Sequence, residues 1–527
     1  MMNCALRDLQ ETLTRSKLDA YLTVVADSHL SEYIAPHFEI VRHLSGFTGT
    51  NANLLVTPTQ AWLWTDSRYW EQARIELDGS GVILMRWGED GVSDPLTFLE
   101  NVNQKSPITL ALNPALFSIG NYQKFENKVS RVKPIDEAFE ALFWENRPPL
   151  VFHDIWEVTI GEAVEVKLNR LKAKLRAWAK DENIAPDCAI LASLRLDDVA
   201  WLTNLRGSDI AYNPVFYSGI LIGTNQQHLF INEEKLPLAL KEKAIGAGFE
   251  IHPYEAFDCV AQKLTDSGHT ILADFDEINA KLLSLPRENL RSVKWPIALL
   301  KAIKCEAEIK GMKKALALDA LAQKEAIAEI RKRSASGEIL TESQCAQILH
   351  DAHAKQPEFI TESFATSAAT GPNAALPHYE PIPGKDAKLI APCLLLIDSG
   401  AHYSCGTTDT TRVYTIGEIE DFDSDELQAI RDDYTAVFKG LTALSEASFE
   451  KGTCGADIDY LAHEPIRALG IDYGHGTGHG VGFILNVHES PPTISSNRRK
   501  SAEVALEPGM IHSIEPGIYR EGIRGIR

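Results

Sequence analysis

The chain has 527 residues, of which 44% are hydrophobic and 24% charged, and its formal net charge is −21. That length exceeds what one hydrophobic core supports, so two to four domains are expected. The acidity argues against a nucleic-acid surface. No stretch reaches the roughly 18 consecutive apolar residues of a membrane span, and the opening MMNCALRDLQETL lacks the basic segment and apolar core of a secretory signal.

The eight cysteines, Cys4, Cys188, Cys259, Cys305, Cys345, Cys393, Cys405 and Cys454, are scattered and form no CxxC pair. Scattered cysteines without a signal peptide fit a reducing cytoplasm. Residues 5–17 predict a helix leading into the apolar strand LDAYLTVVA. A turn around Gly46 and Gly49 precedes a second strand, Ala52 to Val56, and AWLWTDSRYWEQARIEL reads as strand running into helix. Trp62, Trp64, Tyr69 and Trp70 are read as core and helix packing.

A second block opens near residue 160. VEVKLNRLKAKLRAWAKDENI has apolar residues at helical spacing and leads to the strand DCAILA, then DDVAWLTNLRGSDIAYNPVFYSGILIG. This order repeats the first block. Leu44-Ser45-Gly46 and Leu205-Arg206-Gly207 lie 161 residues apart, and Asp19 and Asp187 lie 168 apart. A two-copy α/β module accounts for that spacing better than a solenoid of short repeats.

The third block follows Lys294-Trp295-Pro296. A long amphipathic helix is predicted over KAIKCEAEIKGMKKALALDALAQKEAIAEIRKRSA and a second over LTESQCAQILHDAHAKQ, with Thr341 as its N-cap. Phe359 to His378 reads as strand, turn, strand. After LLLIDSG come two helices, DELQAIRDDYTAVFKGLTALSEA and DIDYLAHEPIRALG, the latter closed by Gly470.

The chemistry concentrates in this block. In LLLIDSGAHYSCGTTDTTR, Asp398 ends an apolar run and Asp409 follows eleven residues later. The pattern suggests two neighbouring strands, each presenting a carboxylate. A carboxylate buried at the end of such a run needs a cation or an arginine as partner. Hard divalent ions take several oxygen ligands, but two aspartates at this spacing, taken alone, read better as turn or capping residues. Cys405, between them, is read as a small core or turn residue.

GHGTGHGVG shifts the balance. Its alternating glycines permit close backbone approach and are unlike a helix, so one ligand, His479, is expected, with His475 behind it. His488 in NVHES, Glu515 before the Pro516-Gly517 turn, and His378 after the turn residues of GPNAALPH complete the candidates.

LLLIDSGAHYSCGTTDTTR, YGHGTGHGVGFILNVHE, SIEPGIY and GIR, in this order, resemble the pita-bread metallopeptidases. SEYIAPHFEIVRHLSGFTGT, WTDSRYWEQA and DDVAWLTNLRGSDIAYNPVFYS resemble the large, three-domain cytosolic Xaa-Pro aminopeptidases. The resemblance implies a fold of α/β (α+β) class: creatinase-like domains over 1–155 and 156–297, then a pita-bread catalytic domain over 298–527. It implies two Mn²⁺ ions, with Zn²⁺ or Co²⁺ as other candidates, and usually a homodimer. Asp398, Asp409, His479 and Glu515 become metal ligands, with Asp409 bridging. His378, His488 and Glu515 become catalytic, and His475 and Arg527 line the site.

The activity implied is hydrolysis of the bond between an N-terminal residue and proline by a hydroxide held between the ions, in the cytoplasm, on peptides and without nucleic acid or membrane. The family pattern continues after GIR with Ile-Glu, whose glutamate is a further bridging ligand, two positions beyond Arg527; the chain is accordingly read as a fragment. A prolidase-like dipeptidase, or a non-catalytic peptide-binding scaffold lacking that ligand, are the alternatives.

Overall fold

The computed structural model describes residues 4–527. The chain divides into two compact units. One is Met1–Glu157, Ala163–Ala211 and Val215–Ile297; the other is Val158–Glu162, Tyr212–Pro214 and Ala298–Arg527.

The first unit holds two six-stranded sheets. Strands β1 (Ala20–Val24), β2 (Asn53–Val56), β3 (Ala61–Thr65), β4 (Val82–Arg86), β5 (Thr109–Leu112) and β6 (Arg131–Pro134) lie in the order β4-β3-β2-β1-β5-β6. A two-stranded pair, β7 (Trp156–Glu157) with β9 (Leu205–Arg206), stands outside the sheets. The second sheet comprises β8 (Ala189–Ser193), β10 (Ser218–Gly223), β11 (Gln227–Ile231), β12 (Phe249–Pro253), β13 (Thr270–Ala273) and β14 (Leu290–Ser292), in the order β12-β11-β10-β8-β13-β14.

The two sheets have one topology. In each, the first strand pairs antiparallel with the second and parallel with the fifth, and the outer strand at either edge runs parallel to the strand beside it. The repeat that the sequence shows at low identity is therefore a repeat of connectivity. The central strands of the second copy are buried on both faces, with every residue of β8, β10 and β11 buried; this is why β8 and β10 read as apolar runs rather than alternations. The tryptophans behave as packing residues: Trp64 is fully buried with Nε1 donating to the Ser93 carbonyl, and Trp62 packs against the Phe98 ring at a tilted angle.

Two sequence expectations need correction here. The turn at Gly46 is the left-handed cap (φ 83°) of a short helix, Ile40–Ser45, too short for its periodicity to register. The long helix of the third block is also interrupted. Ala298–Ala302 is a separate turn, and a new helix, Glu306–Ala335, starts where the Glu308 carboxylate accepts from the Cys305 N–H at 2.8 Å. Thr341 caps the helix Glu342–Lys355 as expected, accepting from the Gln344 N–H.

In the second unit, β15 (Phe359–Glu362) pairs with β18 (Ala401–Tyr403) and β18 with β19 (Gly406–Thr407). A separate sheet orders β16 (Ser367–Thr370), β17 (Cys393–Ser399) and β20 (Thr410–Ile416) with β17 central. Two hairpin-like pairs follow, β21 (Gly478–Gly480) with β22 (Glu489–Ile494) and β23 (Ile518–Arg520) with β24 (Arg524–Ile526).

β17 explains why the site lies where it does. Leu395 and Ile397 enter a core with Ala322, Ala326, Ile327 and Ile330 of one helix and Leu349 and Ala352 of the next. Leu394 and Leu396 point the other way, toward Ile518 and Ile526 and toward Ala369 and Ala374 respectively. The period of two then carries Asp398 to this second face, beside β24. Each fully buried Leu or Ile contributes roughly 1.5–3 kcal/mol, so both faces fix the register firmly.

Candidate metal centre

Asp398 lies at the end of β17 with both oxygens engaged. Thr411 Oγ1 donates to Oδ1 at 2.8 Å, and the Arg527 guanidinium forms an ion pair with Oδ2. Arg527 also donates Nε to Thr411 Oγ1 (3.0 Å), and Nη1 to the Pro377 carbonyl (3.2 Å) and the Tyr519 hydroxyl (3.3 Å). Of the two partners the sequence allows for Asp398, the arginine is thus visible in the structure.

Asp409 does not sit on a strand, contrary to expectation. It lies in the connection where the chain leaves β19 and enters β20, one residue before the Ser399–Thr410 pair of the β17–β20 ladder. Its placement comes from a residue that sequence reasoning overlooked. Asp319, inside the helix Glu306–Ala335 and 1% exposed, accepts from Thr408 Oγ1 at 3.2 Å and Thr410 Oγ1 at 3.0 Å, the hydroxyls on either side of Asp409. Gln323 Nε2 and His353 Nε2 complete its partners at 3.2 and 3.0 Å. The available signal was a carboxylate on the apolar face of that helix, between buried Ala315 and Ala322.

His479 is on β21, as the glycine-rich stretch suggested for non-helical backbone. A Cβ at Gly478 would stand 2.1 Å from the Ser513 carbonyl oxygen, so this position admits no side chain. The closeness lets the 513–515 segment run beside β21: Ser513 N–H donates to the His479 carbonyl (2.8 Å) and Glu515 N–H to the Thr477 carbonyl (2.7 Å). Glu515 is not a strand end, as the sequence suggested, because the His479 N–H turns to the Ser513 hydroxyl (3.1 Å) and interrupts the ladder. A second overlooked carboxylate, Asp459, accepts from Thr477 Oγ1 at 2.6 Å and lies 3.2 Å from His463 Nε2, which fixes the backbone that Glu515 pairs with.

The functional atoms converge. His479 Nδ1–H donates to the Gly480 carbonyl at 2.8 Å, which turns Nε2 toward Asp409 Oδ2 (3.2 Å) and Glu515 Oε1 (3.0 Å). Asp409, His479 and His488 each place one donor atom within 4.8 Å of the others, and the His488 ring meets His479 edge-on with centroids 4.6 Å apart. His475 serves differently: Nδ1 donates to the Gly476 carbonyl (2.8 Å) and Nε2 accepts from Tyr519 (2.7 Å), so His475 orients the hydroxyl that holds Arg527. His378, half-buried, follows Pro377, whose carbonyl anchors Arg527.

Charge is concentrated here. Burial, reinforced by Asp409 and Glu515 and opposed by Arg527, pushes the Asp398 carboxyl up to about 6. Burial would raise Glu515 too, but the His479 imidazolium holds it well below the usual carboxylate range. Burial disfavours the His479 cation, yet Asp409 and Glu515 raise its pKa well above the ordinary histidine value. Burial and Arg527 push His475 down to about 4, leaving it neutral. Three half-buried carboxylates thus share one imidazolium and one guanidinium as counter-charges, a set that accommodates further cationic charge. Carboxylate oxygens plus one imidazole nitrogen suit hard to borderline divalent ions. The residues therefore fit a metal centre, with Asp398, Asp409, His479 and Glu515 able to supply its ligands.

Similarity to known proteins runs along almost the whole chain. The model of metallopeptidase family M24 matches residues 310–527, and two models of creatinase/prolidase N-terminal domains match residues 6–142 and 146–308. The class is a metallopeptidase with two creatinase-type α/β domains ahead of a pita-bread domain. A probable Xaa-Pro aminopeptidase P of Talaromyces marneffei is 35% identical over 536 residues, covering 98% of this chain and 79% of the relative. One from Blastomyces gilchristii is 34% identical, covering 98% and 85%.

Among solved structures, the X-prolyl aminopeptidase of Caenorhabditis elegans, described as a cytosolic enzyme with a di-nuclear active site, superposes with a TM-score of 0.90 at 31% identity over 99% of this chain and 85% of that one. An Xaa-Pro dipeptidase of Bacillus anthracis, at 24% identity and TM-score 0.54 over 69% of this chain and 93% of its own, shares the fold. The chain belongs to the Xaa-Pro aminopeptidase P family.

Proposed function

We propose that this protein removes the N-terminal residue from peptides with proline in second position, using a two-ion centre. The observation that carries this reading is the convergence of Asp409, Glu515 and His479 Nε2 within 3.2 Å, beside Asp398, in a chain similar to Xaa-Pro aminopeptidases along almost its whole length. Asp398, Asp409, His479 and Glu515 would hold the ions, with Asp409 as the ligand shared between them; their mainly carboxylate character favours Mn²⁺, with Zn²⁺ or Co²⁺ as substitutes. Bound there, such ions activate water and polarise the scissile carbonyl.

The chain's own groups do the rest. Glu515 accepts a proton from the attacking water; His479 is the largest of the groups that depress the Glu515 pKa, so a neutral His479 leaves the carboxylate a stronger base, with Arg527 and Ser513 still lowering it. His488, beside His479, and His378 steady the substrate carbonyl and pass a proton to the departing proline nitrogen. Arg527, fixed by Tyr519 and His475, orients Asp398 and borders the peptide.

The reading includes a three-part organisation, creatinase-like domains over 1–155 and 156–297 and the catalytic domain over 298–527, a homodimer, and residence in the cytoplasm. Two observations are compatible with the last: among the described residues no helix is long and apolar enough to cross a membrane, and all eight cysteines are free.

The test compares Arg-Pro-Pro with Arg-Pro as substrates in the presence of Mn²⁺. Release of arginine from the tripeptide at several times the rate for the dipeptide is expected. Cleavage restricted to the dipeptide would make the protein a prolidase, and no cleavage of either, with no metal retained, would leave a binding scaffold.

A further inference from the structure

A second cluster of ligand-type side chains lies in the first unit and has no part in the centre described above. His228 is on β11, and Glu250 and His252 are on the neighbouring edge strand β12. The parallel register sets His228 opposite Glu250 and Phe230 opposite His252, so the period of two puts all three side chains on one face. His228 Nδ1 lies 3.0 Å from His252 Nε2 and 3.4 Å from Glu250 Oε2, and His252 Nε2 lies 3.5 Å from Glu250 Oε1. Ligands of a tetrahedral ion with bonds of about 2.0–2.1 Å are separated by roughly 3.4 Å, close to the separations of the two nitrogens from each other and of each from its nearer Glu250 oxygen, and one donor atom from each of the three residues lies within 4.8 Å of the others.

The hydrogen bonds behind this cluster fix which nitrogen is available. Ser267 donates its hydroxyl hydrogen to the Leu264 carbonyl at 2.8 Å. His269 Nδ1 faces that carbonyl at 3.1 Å and the Ser267 oxygen at 3.0 Å, both acceptors, so Nδ1 carries the hydrogen and Nε2 the lone pair. Gln226 therefore presents its NH₂ to His269 Nε2 (3.2 Å), which leaves its carbonyl oxygen to accept from His228 Nε2–H (3.2 Å). In neutral His228 the lone pair is thereby confined to Nδ1, the atom that faces His252 and Glu250. A backbone carbonyl thus sets the tautomer through two intermediates, the kind of outer support that metal-binding histidines carry. Burial, opposed by Glu250, also keeps the His228 pKa below its ordinary value and the ring neutral. The Phe230 ring stacks on His252 with centroids 5.0 Å apart and holds it in orientation.

We propose that His228, Glu250 and His252 form a binding site for a zinc-class divalent ion that clamps the edge strand β12 to β11, with a solvent molecule as fourth ligand. Two imidazoles and one carboxylate select Zn²⁺ over Mn²⁺ and Mg²⁺. Glu250, whose side chain is 66% exposed, gives the ion access from solvent.

The experiment titrates the full-length chain with Zn²⁺ against a chromophoric chelator, with excess Mn²⁺ present, and compares wild type with His252→Gln and Glu250→Gln. Wild type is expected to take up one more equivalent of zinc than His252→Gln. Glu250→Gln, at an exposed position where folding is not at stake, is expected to bind that equivalent roughly tenfold or more weakly. Because none of these residues belongs to the proposed catalytic site, release of arginine from Arg-Pro-Pro should be unchanged in both variants. Equal zinc stoichiometry and affinity in all three proteins would overturn the proposal, as would displacement of the additional equivalent by the excess Mn²⁺.

Discussion

Replacing Asp319 by asparagine tests how the candidate centre is positioned. The carboxylate touches no proposed reacting atom, but it accepts from both hydroxyls that bracket Asp409 and from Gln323 and His353. Its Oδ1 serves Thr408 and His353, and its Oδ2 serves Thr410 and Gln323. Asparagine preserves the shape but makes one of these oxygens an NH₂ group. With the NH₂ in place of Oδ2 it faces the Gln323 Nε2 donor; in place of Oδ1 it faces His353, which must move its hydrogen to the buried, unpartnered Nδ1 to accept.

A hydrogen bond to a charged acceptor is worth about 1.5–3 kcal/mol, so losing one and weakening another should cost about 3 kcal/mol of stability. One of the two hydroxyls that anchor the Asp409 loop, Thr408 or Thr410, must then turn from donor to acceptor, which disturbs the loop. Groups that orient metal ligands typically change affinity or activity by about 10–100-fold when removed. The assay measures urea unfolding, Mn²⁺ affinity by chelator competition, and kcat and KM at saturating metal. A folded Asp319→Asn protein is expected to lose about 10–100-fold in kcat or metal affinity with KM little changed. Wild-type kcat and wild-type metal affinity in that variant would refute the reasoning.

Asp409→Asn should abolish metal-dependent turnover and lower bound metal measured by elemental analysis; unchanged activity would remove Asp409 from the centre. His378→Ala should reduce kcat while retaining metal, and loss of metal instead would make it a ligand. Asp433 is fully buried and paired with Arg520 (2.6 and 2.8 Å) and Arg524 (2.7 and 3.2 Å); burial alone would raise its pKa, but the two arginines hold it below the usual range. Such a group stabilises the fold above the unfolded value of about 3.9 and loses that contribution as pH falls through the folded value. Asp433→Asn should therefore cost about 3 kcal/mol at pH 7, and the gap to wild type in urea midpoints should narrow below about pH 4; a gap independent of pH would show that the pair's charge is not what matters.

Much of the site was readable because its chemistry is local in sequence. An apolar run ending in Asp398, and glycines crowded around His479, announce a buried carboxylate and a close backbone approach before any coordinates are known. The supporting groups were not readable for the same reason. Asp319 is 90 residues from Asp409 in sequence, and Asp459 is 18 from Thr477; each looks like an ordinary helical aspartate until tertiary structure supplies its partners. In the fold, strands with strong apolar character were legible, whereas the six-residue helix before Gly46 and the break at Cys305 depend on caps that periodicity does not register. The shared topology of the first two sheets was visible only as two widely spaced pairs of matching positions, since burial on both faces conserves apolar character rather than residue identity.

The most direct measurement strips the protein with a chelator, restores Mn²⁺ stepwise, and records bound metal and arginine release from Arg-Pro-Pro on the same samples. No turnover is expected in the stripped protein, and the rate should rise with occupancy of the Asp398, Asp409, His479 and Glu515 centre, a rise that Asp409→Asn abolishes. Turnover that persists in fully stripped protein, or a rate that Asp409→Asn leaves unchanged, would contradict that expectation.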